Sequence, residues 1–438
     1  MSALGASSPG RRAALAARLE AERGRRLDRA LDAAAEGLEA RERSFAHELS
    51  YGTTRLRGRL DHLLTPHVHR GLEPLDPPVL EALRLGAYQI LYMDSVPPYA
   101  AVSQSVDLVR ERAGAGPTGL VNAVLRKVGR GDDAPERFPD FAEEPLAFLQ
   151  TWGSHPRWLL ERWLERWSPE DVRTLVEADN ALPRTCLVPL EVEPEAAAAA
   201  LGRAGLSAEP LGEGTGCVRL GDGVSPASAL EVIPRAIVQD PAANLVVQYA
   251  HVPEGTKVAD LCAAPGGKVL AVADRPVYTL AADRSERRLH MVRDNARRTG
   301  RPLGLAVADA RRPPLKRVDV VLLDAPCTGT GTLQRKPDAR WRLRPTSLDE
   351  LVELQREMLD AAADLLPVGG LLVYSTCSLE REENEEQVER FLERSPAFRL
   401  DPTDAVPARF RDEVGQLVVT PQATGFDGAF AARLRRIS

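Results

Sequence analysis

Cysteine is scarce in this chain of 438 residues, which contains only Cys186, Cys217, Cys262, Cys327 and Cys377. An odd number of cysteines without a CxxC pair argues against a disulfide framework and against a standard zinc module. No apolar run approaches the length of a transmembrane span. The first 40 residues are rich in Ala and Arg but also contain six acidic residues, which transit peptides avoid. These absences predict a cytoplasmic protein without a membrane segment or a metal site, and we expect a monomer.

The net charge of −6 excludes a general electrostatic attraction to nucleic acid. The charge is unevenly spread, however, because residues 1–130 contain 19 Lys and Arg against 15 Asp and Glu. Only five of the 57 basic residues are lysine. Arginine excess suits phosphate recognition, but a GC-rich genome would give the same bias.

Apolar spacing predicts a multidomain chain. Residues 1–140 show helical periodicity and predict an all-α bundle, with a linker of Gly, Pro and charged residues at 129–140. Residues 141–235 alternate short β-like runs with an Ala-rich helix and predict a small α/β connecting domain. Residues 236–438 predict a doubly wound, Rossmann-like α/β domain, because five nearly continuous apolar runs follow residue 255 and helical stretches separate most of them.

Chemically capable side chains follow these apolar runs. Cys262, Cys327 and Cys377 each stand at the end of a predicted strand, and so do Asp283, Asp309 and Asp324. In doubly wound sheets the ligand crevice lies beyond the carboxyl ends of the strands. We therefore expect the six side chains to converge on one crevice.

The stretch ADLCAAPGGK at 259–268 has the order strand, glycine-containing turn and helix. Gly266 and Gly267 allow a ligand to approach the backbone closely. The dinucleotide motif GxGxxG is absent. Asp283 suits the hydroxyls of a ribose, and Asp309 could face the amine of an adenine. An adenosine without a pyrophosphate points to S-adenosylmethionine as the cofactor.

The stretch LLDAPCTGTG at 322–331 places Cys327 three residues after Asp324. Enzymes that methylate exocyclic amines typically have a proline and an aromatic residue after the Asn or Asp of this loop, whereas a cysteine implies covalent chemistry. Cytosine C5 is a poor nucleophile, and a thiolate that adds to C6 activates it. One cysteine would add and a second group would assist release. Metal binding by the three cysteines is the rival interpretation, although zinc sites usually have a close-spaced pair or histidines.

The stretch RKPDARWRLR at 335–344 combines basic residues with Trp341. Basic side chains interleaved with an aromatic suit an RNA strand. The predicted RNA-binding residues are Arg335, Lys336, Arg340 and Arg342. A solvated charged face remains the alternative.

Together, these motifs resemble the RNA cytosine-C5 methyltransferases of the NOL1/NOP2/Sun family. The resemblance rests on DLCAAPGGK, the strand-end aspartates, DAPCTGTGTLQRKPD, YSTCS followed by Glu383-Asn384-Glu385, and the flanking VQDPAANLV and DGAFAARLRR. It covers about 236–438, and the N-terminal helices, including GLVNAVLRK at 119–127, resemble a NusB-like RNA-binding domain. This combination is similar to bacterial members that act on small-subunit (16S) ribosomal RNA.

The resemblance implies a role for each matched residue. Cys377 would be the nucleophile, Cys327 would assist product release, and Asp324 would hold the base. Lys268 belongs with them because it could help Cys377 to ionise. The cofactor-binding residues would be Cys262, Ala263, Ala264, Pro265, Gly266, Gly267, Lys268, Asp283, Asp309 and Asp324.

Three other functions stay open at the level of sequence. The same chemistry could act on another RNA such as tRNA. A NusB-like domain beside a degenerate C-terminal domain would be a non-catalytic RNA-binding factor, which the intact pair Cys327 and Cys377 disfavours. The absent GxGxxG disfavours a nicotinamide-dependent reductase.

Overall fold

The computed structural model describes residues 7–212 and 214–438 and groups them into two compact units. The first unit extends to Ala181 and also includes Leu333–Leu343. The second comprises Leu182–Thr332 and Arg344–Ser438. Within the described residues, every helix is too short or too polar to span a bilayer.

The first unit is helical, as the spacing of apolar residues predicts. Its helices α1–α10 span Pro9–Glu22, Leu27–Ala34, Ala40–Arg55, Arg57–Leu64, Pro77–Tyr92, Pro98–Ala113, Thr118–Leu125, Pro145–Thr151, Arg157–Arg166 and Pro169–Asn180. Prolines begin five of these helices at their first turn, where the missing N–H costs nothing. Helix α5 is the central element, because its residues from Ala82 to Ile90 are all buried.

A small antiparallel sheet opens the second unit. Strands β1–β4 span Cys186–Pro189, Ala208–Leu211, Cys217–Leu220 and Ala236–Val238, in the order β2-β3-β1-β4. Helices α11 (Pro194–Arg203) and α12 (Pro226–Val232) cover it. The structure thus divides the middle of the chain differently from the predicted boundaries. Helices α8–α10 lie in the first unit, and β4 falls beyond residue 235.

The larger sheet contains the five predicted strands. Strands β5–β9 span Lys257–Asp260, Tyr278–Asp283, Gly304–Val307, Val320–Asp324 and Leu371–Thr376. They pair in parallel in the order β7-β6-β5-β8-β9. The direction of winding reverses between β5 and β8, which is where an open α/β sheet forms its ligand crevice.

The remaining strands extend this sheet with antiparallel pairs. Strands β10–β12 span Phe398–Leu400, Leu417–Val419 and Ala429–Arg436, and β12 pairs along the whole length of β9. Helices α13–α19 span Pro241–Ala250, Gly267–Val272, Glu286–Thr299, Ala339–Arg342, Pro345–Asp364, Glu385–Arg394 and Pro421–Thr424. Aliphatic residues of β8 and β9 are buried on both faces, which explains their continuous apolar runs.

Two helix ends test the sequence signals. Gly300 ends α15 in the left-handed conformation at φ 69°, as its position predicts. Ser347 and Glu350 have capping-box spacing and predict a helix that begins after Ser347. That prediction is wrong, because α17 begins two residues earlier at Pro345. The Ser347 hydroxyl instead accepts a hydrogen bond from the amide of Arg344.

Candidate active site

Five of the six strand-end side chains follow or end β5, β6, β8 and β9 at the carboxyl edge of the parallel sheet. Asp283 ends β6 and Asp324 ends β8. Cys262 follows β5, Cys327 follows β8, and Cys377 directly follows β9. Asp260, the last residue of β5, was missed, although its strand-end position is the same signal that selects the other aspartates.

The two cysteines after β8 and β9 are in contact. Their Sγ atoms lie 3.4 Å apart. The hydrogen bond to Cys377 raises the pKa of Cys327 well above its usual value, and burial and the charge of Cys377 act in the same direction. Either sulfur could be the donor in this contact, and the raised pKa of Cys327 favours its thiol form.

Lys268 and Asp324 form an ion pair beside the cysteines. The Lys268 Nζ lies 2.7 Å from Asp324 Oδ2, and the Ser375 hydroxyl donates to Asp324 Oδ1 at 3.0 Å. Burial lowers the pKa of Lys268, but the charge and hydrogen bond of Asp324 outweigh it, and Cys377 adds to them, so the net shift is upward. The ammonium therefore stays charged next to the Cys377 sulfur.

Asp260 ends β5, the strand next to the one that ends at Asp324. Its carboxylate accepts a hydrogen bond from the amide of Cys262 at 3.1 Å. Burial, and then repulsion by Asp324, raise the pKa of Asp260 to about 7. Burial and the charge of Asp260 also raise the pKa of Cys262, so this cysteine stays a thiol. Cys262 is thus unsuited to be a nucleophile.

The glycine turn after β5 packs closely against neighbouring parts of the protein. Gly266 is left-handed at φ 109°, and α14 begins at Gly267. A side chain at Gly267 would have its Cβ 2.5 Å from the Gln239 Oε1. Asp283 is buried, accepts from the amides of Ala264 and Ser285, and lies 3.2 Å from the Arg288 guanidinium.

Asp309 differs from the other strand-end aspartates. It lies two residues beyond β7, and an ion pair joins it to Arg311 at 2.7 Å. The hydrogen bonds from Arg311 lower the pKa of Asp309 to about 2. The strand β7 is half-exposed because it is the edge of the sheet. A role of Asp309 in holding an adenine stays a prediction.

The predicted RNA-binding residues do not share one environment. Lys336 is exposed, Arg335 and Arg342 are half-buried, and Arg342 pairs with Asp338 at 2.9 Å. Arg340 is fully buried and donates to Asn180 and to the carbonyl of Asp179. Its guanidinium therefore anchors residues 333–343 within the first unit, which corrects its assignment to an RNA-binding surface.

Two of the three strand-end cysteines form a pair in contact. Across residues 7–212 and 214–438, no three His, Cys, Asp or Glu side chains are grouped as metal ligands would be. The contact between Cys327 and Cys377 is a hydrogen-bonded pair beside a lysine. This arrangement favours nucleophilic chemistry.

Three family models match consecutive parts of the chain. Residues 11–130 match the NusB family, and residues 155–226 match a ferredoxin-like domain of RsmF/B-like methyltransferases. Residues 248–435 match the model described as 16S rRNA methyltransferase RsmB/F. In chain order, the three matches correspond to the helical bundle, the region of the small sheet and the large sheet.

Relatives and solved structures agree with the family models. The probable ribosomal RNA small subunit methyltransferase B of Synechocystis sp. is 32% identical over 94% of both chains. The Klebsiella pneumoniae ribosomal RNA small subunit methyltransferase B is 33% identical over 87% of this chain and 89% of the relative.

Among solved structures, the protein PH0851 has a TM-score of 0.77 at 25% identity and covers 98% of each chain. NSun6 from Pyrococcus horikoshii has a TM-score of 0.56 at 18% identity over 65% of this chain and 98% of its own, and shares the fold. The length and identity of the matches to bacterial relatives establish that this chain belongs to the 16S rRNA methyltransferase RsmB/F family.

Proposed function

We propose that this protein transfers a methyl group from S-adenosylmethionine to C5 of a cytosine in small-subunit ribosomal RNA, through a covalent bond between Cys377 and C6. The observation that carries the proposal is the pair of cysteine sulfurs 3.4 Å apart at adjacent strand ends, beside the ion pair of Lys268 and Asp324. A single thiol suffices for most packing roles, whereas two in contact in a polar crevice suit a reaction with an adding and a releasing group.

Cytosine C5 needs activation before it can attack a methyl group. The Cys377 thiolate forms a bond to C6, and the electron pair of the C5–C6 double bond becomes available at C5. C5 then takes the methyl group. Release requires loss of the proton on C5, return of that electron pair to the ring double bond, and departure of Cys377 as a thiolate. One proton is released for each methyl group transferred.

In this proposal Cys327 takes the proton from C5. It must first lose its own proton, which its hydrogen bond to Cys377 opposes in the free protein. That hydrogen bond is the largest cause of its raised pKa, and a Cys377 sulfur bonded to carbon no longer carries the charge that attracts the proton. Formation of the adduct therefore makes Cys327 a better base at the step that needs one.

Asp324 and Lys268 suit the polar edge of the base. The Asp324 carboxylate can accept a hydrogen bond from the exocyclic amine, and a second one from N3 once N3 carries a proton, which orients C6 toward Cys377. The Lys268 ammonium stabilises negative charge on both Asp324 and Cys377. A site built to hydrogen-bond the amine of cytosine rejects uracil, because the polar groups would otherwise be left unpaired.

The glycine turn and Asp283 fit S-adenosylmethionine. Gly266 gives the turn after β5 a left-handed backbone, and the buried Asp283 suits ribose hydroxyls. When bound, the cofactor supplies a sulfonium methyl group. Small-subunit ribosomal RNA is the target that the names of the relatives give, and the NusB-family match adds a domain suited to RNA.

A denaturing gel with labelled RNA tests the proposal. With S-adenosylmethionine and small-subunit RNA, Cys327→Ala should accumulate a covalent protein–RNA adduct, because addition proceeds and release does not. Cys377→Ala should lose turnover and give no adduct. Cys186→Ala, on a buried strand of the small sheet, is the matched control and should turn over normally. An adduct from Cys377→Ala but not from Cys327→Ala would reverse the two roles, and full turnover by both would exclude the mechanism.

A further inference from the structure

Both peptide groups that flank Cys327 are held by buried side chains. The carbonyl before it, of Pro326, accepts a hydrogen bond from Gln355 Nε2 at 2.9 Å. The amide after it, of Thr328, donates to Glu383 Oε1 at 2.9 Å. Gln355 Nε2 also donates to Glu383 Oε1 at 2.9 Å, so the two side chains form one clamp around the backbone of Cys327.

This clamp is fixed to rigid elements. Gln355 lies in the middle of the 20-residue helix α17, and Glu383 lies in the turn between β9 and α18. The Tyr374 hydroxyl, on β9, donates to the carbonyl of Glu383 at 2.6 Å and also lies 3.2 Å from Gln355 Oε1. Helix, strand and turn therefore all restrain the loop that contains Cys327.

The clamp also reaches the second cysteine. Glu383 accepts from the Thr328 hydroxyl, which lies 3.0 Å from the hydroxyl of Ser378, the residue after Cys377. A continuous chain of hydrogen bonds thus joins Glu383 to the residues that follow both sulfurs. Such a network restrains the distance between the two cysteines.

Burial of the Glu383 carboxylate costs more free energy than a purely structural contact requires. Glu383 and Gln355 are both fully buried, and burying a carboxylate with neutral donors costs more than an apolar contact of equal size. Burial raises the pKa of Glu383, although the bonds from Ser378, Thr328 and Gln355 oppose that shift. An active site often retains such a cost because it fixes the geometry of reacting groups.

From this geometry we infer that Glu383, with Gln355, is a positioning residue that holds the Cys327 thiol for release of the methylated base. The inference rests on the proposed function. Cys377 directly follows β9, which pairs with both β8 and β12, so the sheet positions this cysteine and the clamp's link to Ser378 is only an additional restraint. Cys327 must reach the C5 proton from a loop, and within the described part of the chain it is the clamp whose side chains hold the peptide groups on either side of it. Loss of the clamp should therefore slow release more than addition.

The test separates addition from release with small-subunit RNA and S-adenosylmethionine. We expect Glu383→Met and Gln355→Met each to lower the release rate about tenfold, the loss that follows from one hydrogen bond to a charged group. Covalent adduct should accumulate, while the rate of adduct formation stays within about threefold of wild type. Glu383→Gln should recover part of the release rate, because its amide oxygen still accepts from Thr328.

Two reference variants make the result decisive. Cys327→Ala should give the maximal adduct, and Tyr249→Phe removes a part-buried hydrogen bond to the carbonyl of Gly415 elsewhere in the second unit. Release at the wild-type rate in both clamp variants would overturn the inference. So would equal losses of addition and release together with a lowered melting temperature, the pattern of a purely structural role. Absence of adduct from Cys327→Ala would instead remove the proposed function, and this inference with it.

Discussion

At the scale of single residues, Asp260 gives the clearest pH dependence. Its pKa is raised to about 7 in the folded chain by burial and by Asp324, whereas an unfolded aspartate titrates near pH 4. Between about pH 4 and 7, Asp260 is therefore protonated in the folded chain and ionised in the unfolded chain. The free energy of unfolding consequently falls as pH rises through this range. The loss amounts to at most about 4 kcal/mol. The side chain of Asp260→Asn stays neutral, so the free energy of unfolding of this variant, measured by urea denaturation, should decline less over this pH range.

Asp401 provides a control of opposite sign. Its pKa is lowered because burial, which raises it, is outweighed by the hydrogen bonds and charges of Arg435 and Arg433. Ionised Asp401 therefore stabilises the fold at pH values above the pKa of an unfolded aspartate. This stabilisation is lost as pH falls toward the lower pKa of Asp401 in the folded chain. Asp401→Asn should therefore lose stability at neutral pH and approach wild type in acid. If the free energy of unfolding changes with pH in the same way for wild type and Asp260→Asn, the pKa of Asp260 is not raised.

The sequence predicts individual site residues where a strand ends, and no further. Asp324, Lys268 and both cysteines meet in the structure because parallel strands place their carboxyl ends at one edge. Glu383 was recognised only as part of a motif, since its partner Gln355 is distant in the chain and has no local signal. Arg340 looks like an exposed basic residue, and only the fold shows that it is buried.

At the scale of elements, two glycine backbones fix the loop after Cys327 against β12. The amide of Gly331 donates to the carbonyl of Cys377 at 3.0 Å, and the amide of Gly428 donates to the carbonyl of Gly331 at 2.7 Å. A Cβ at Gly428 would lie 2.8 Å from the Gly331 Cα. Gly428→Ala should destabilise the protein by about 1–3 kcal/mol through overpacking and slow adduct formation, as measured by thermal unfolding and gel shift.

Gly202 offers the same substitution without the crowding. It lies within helix α11, and no atom lies within 4 Å of the position of an added Cβ. Gly202→Ala should stabilise the protein by about 0.5–1 kcal/mol, because alanine favours the helix. If both substitutions shift the unfolding midpoint equally, close packing at Gly428 does not explain the effect.

The sequence identifies a strand or helix most clearly where its side chains are buried along its whole length. Strands β8 and β9 are buried on both faces, so a continuous apolar run identifies them. The edge strand β7 was found from its position in the alternation of strands and helices, although its residues are half-exposed. The start of α17 was missed because Pro345 competes with Ser347 as a start signal, and proline at the first turn prevails.

At the scale of the whole molecule, cofactor binding should raise the free energy of unfolding. S-adenosylmethionine or its demethylated product should stabilise the protein by roughly 2–3 kcal/mol at about a hundredfold excess over the dissociation constant. Asp283→Ala should weaken this effect in a thermal shift assay, because the buried carboxylate at the end of β6 would no longer hold the ribose. Equal stabilisation by a nicotinamide dinucleotide would contradict the cofactor assignment.

The net charge of the whole chain cannot provide RNA affinity, so we expect binding to depend on local basic residues. Each phosphate contact contributes about 0.7–0.9 to the slope of log affinity against log salt. Arg335→Ala with Lys336→Ala should therefore weaken binding of small-subunit RNA and flatten the slope by about 1.5, without changing cofactor affinity. The control removes Lys316 and Arg317, an exposed pair that precedes β8 at the edge of the sheet opposite the crevice. Filter binding between about 50 and 200 mM salt measures both slopes. Equal flattening by the two double variants would show that the basic residues at 335–336 have no special role in RNA binding.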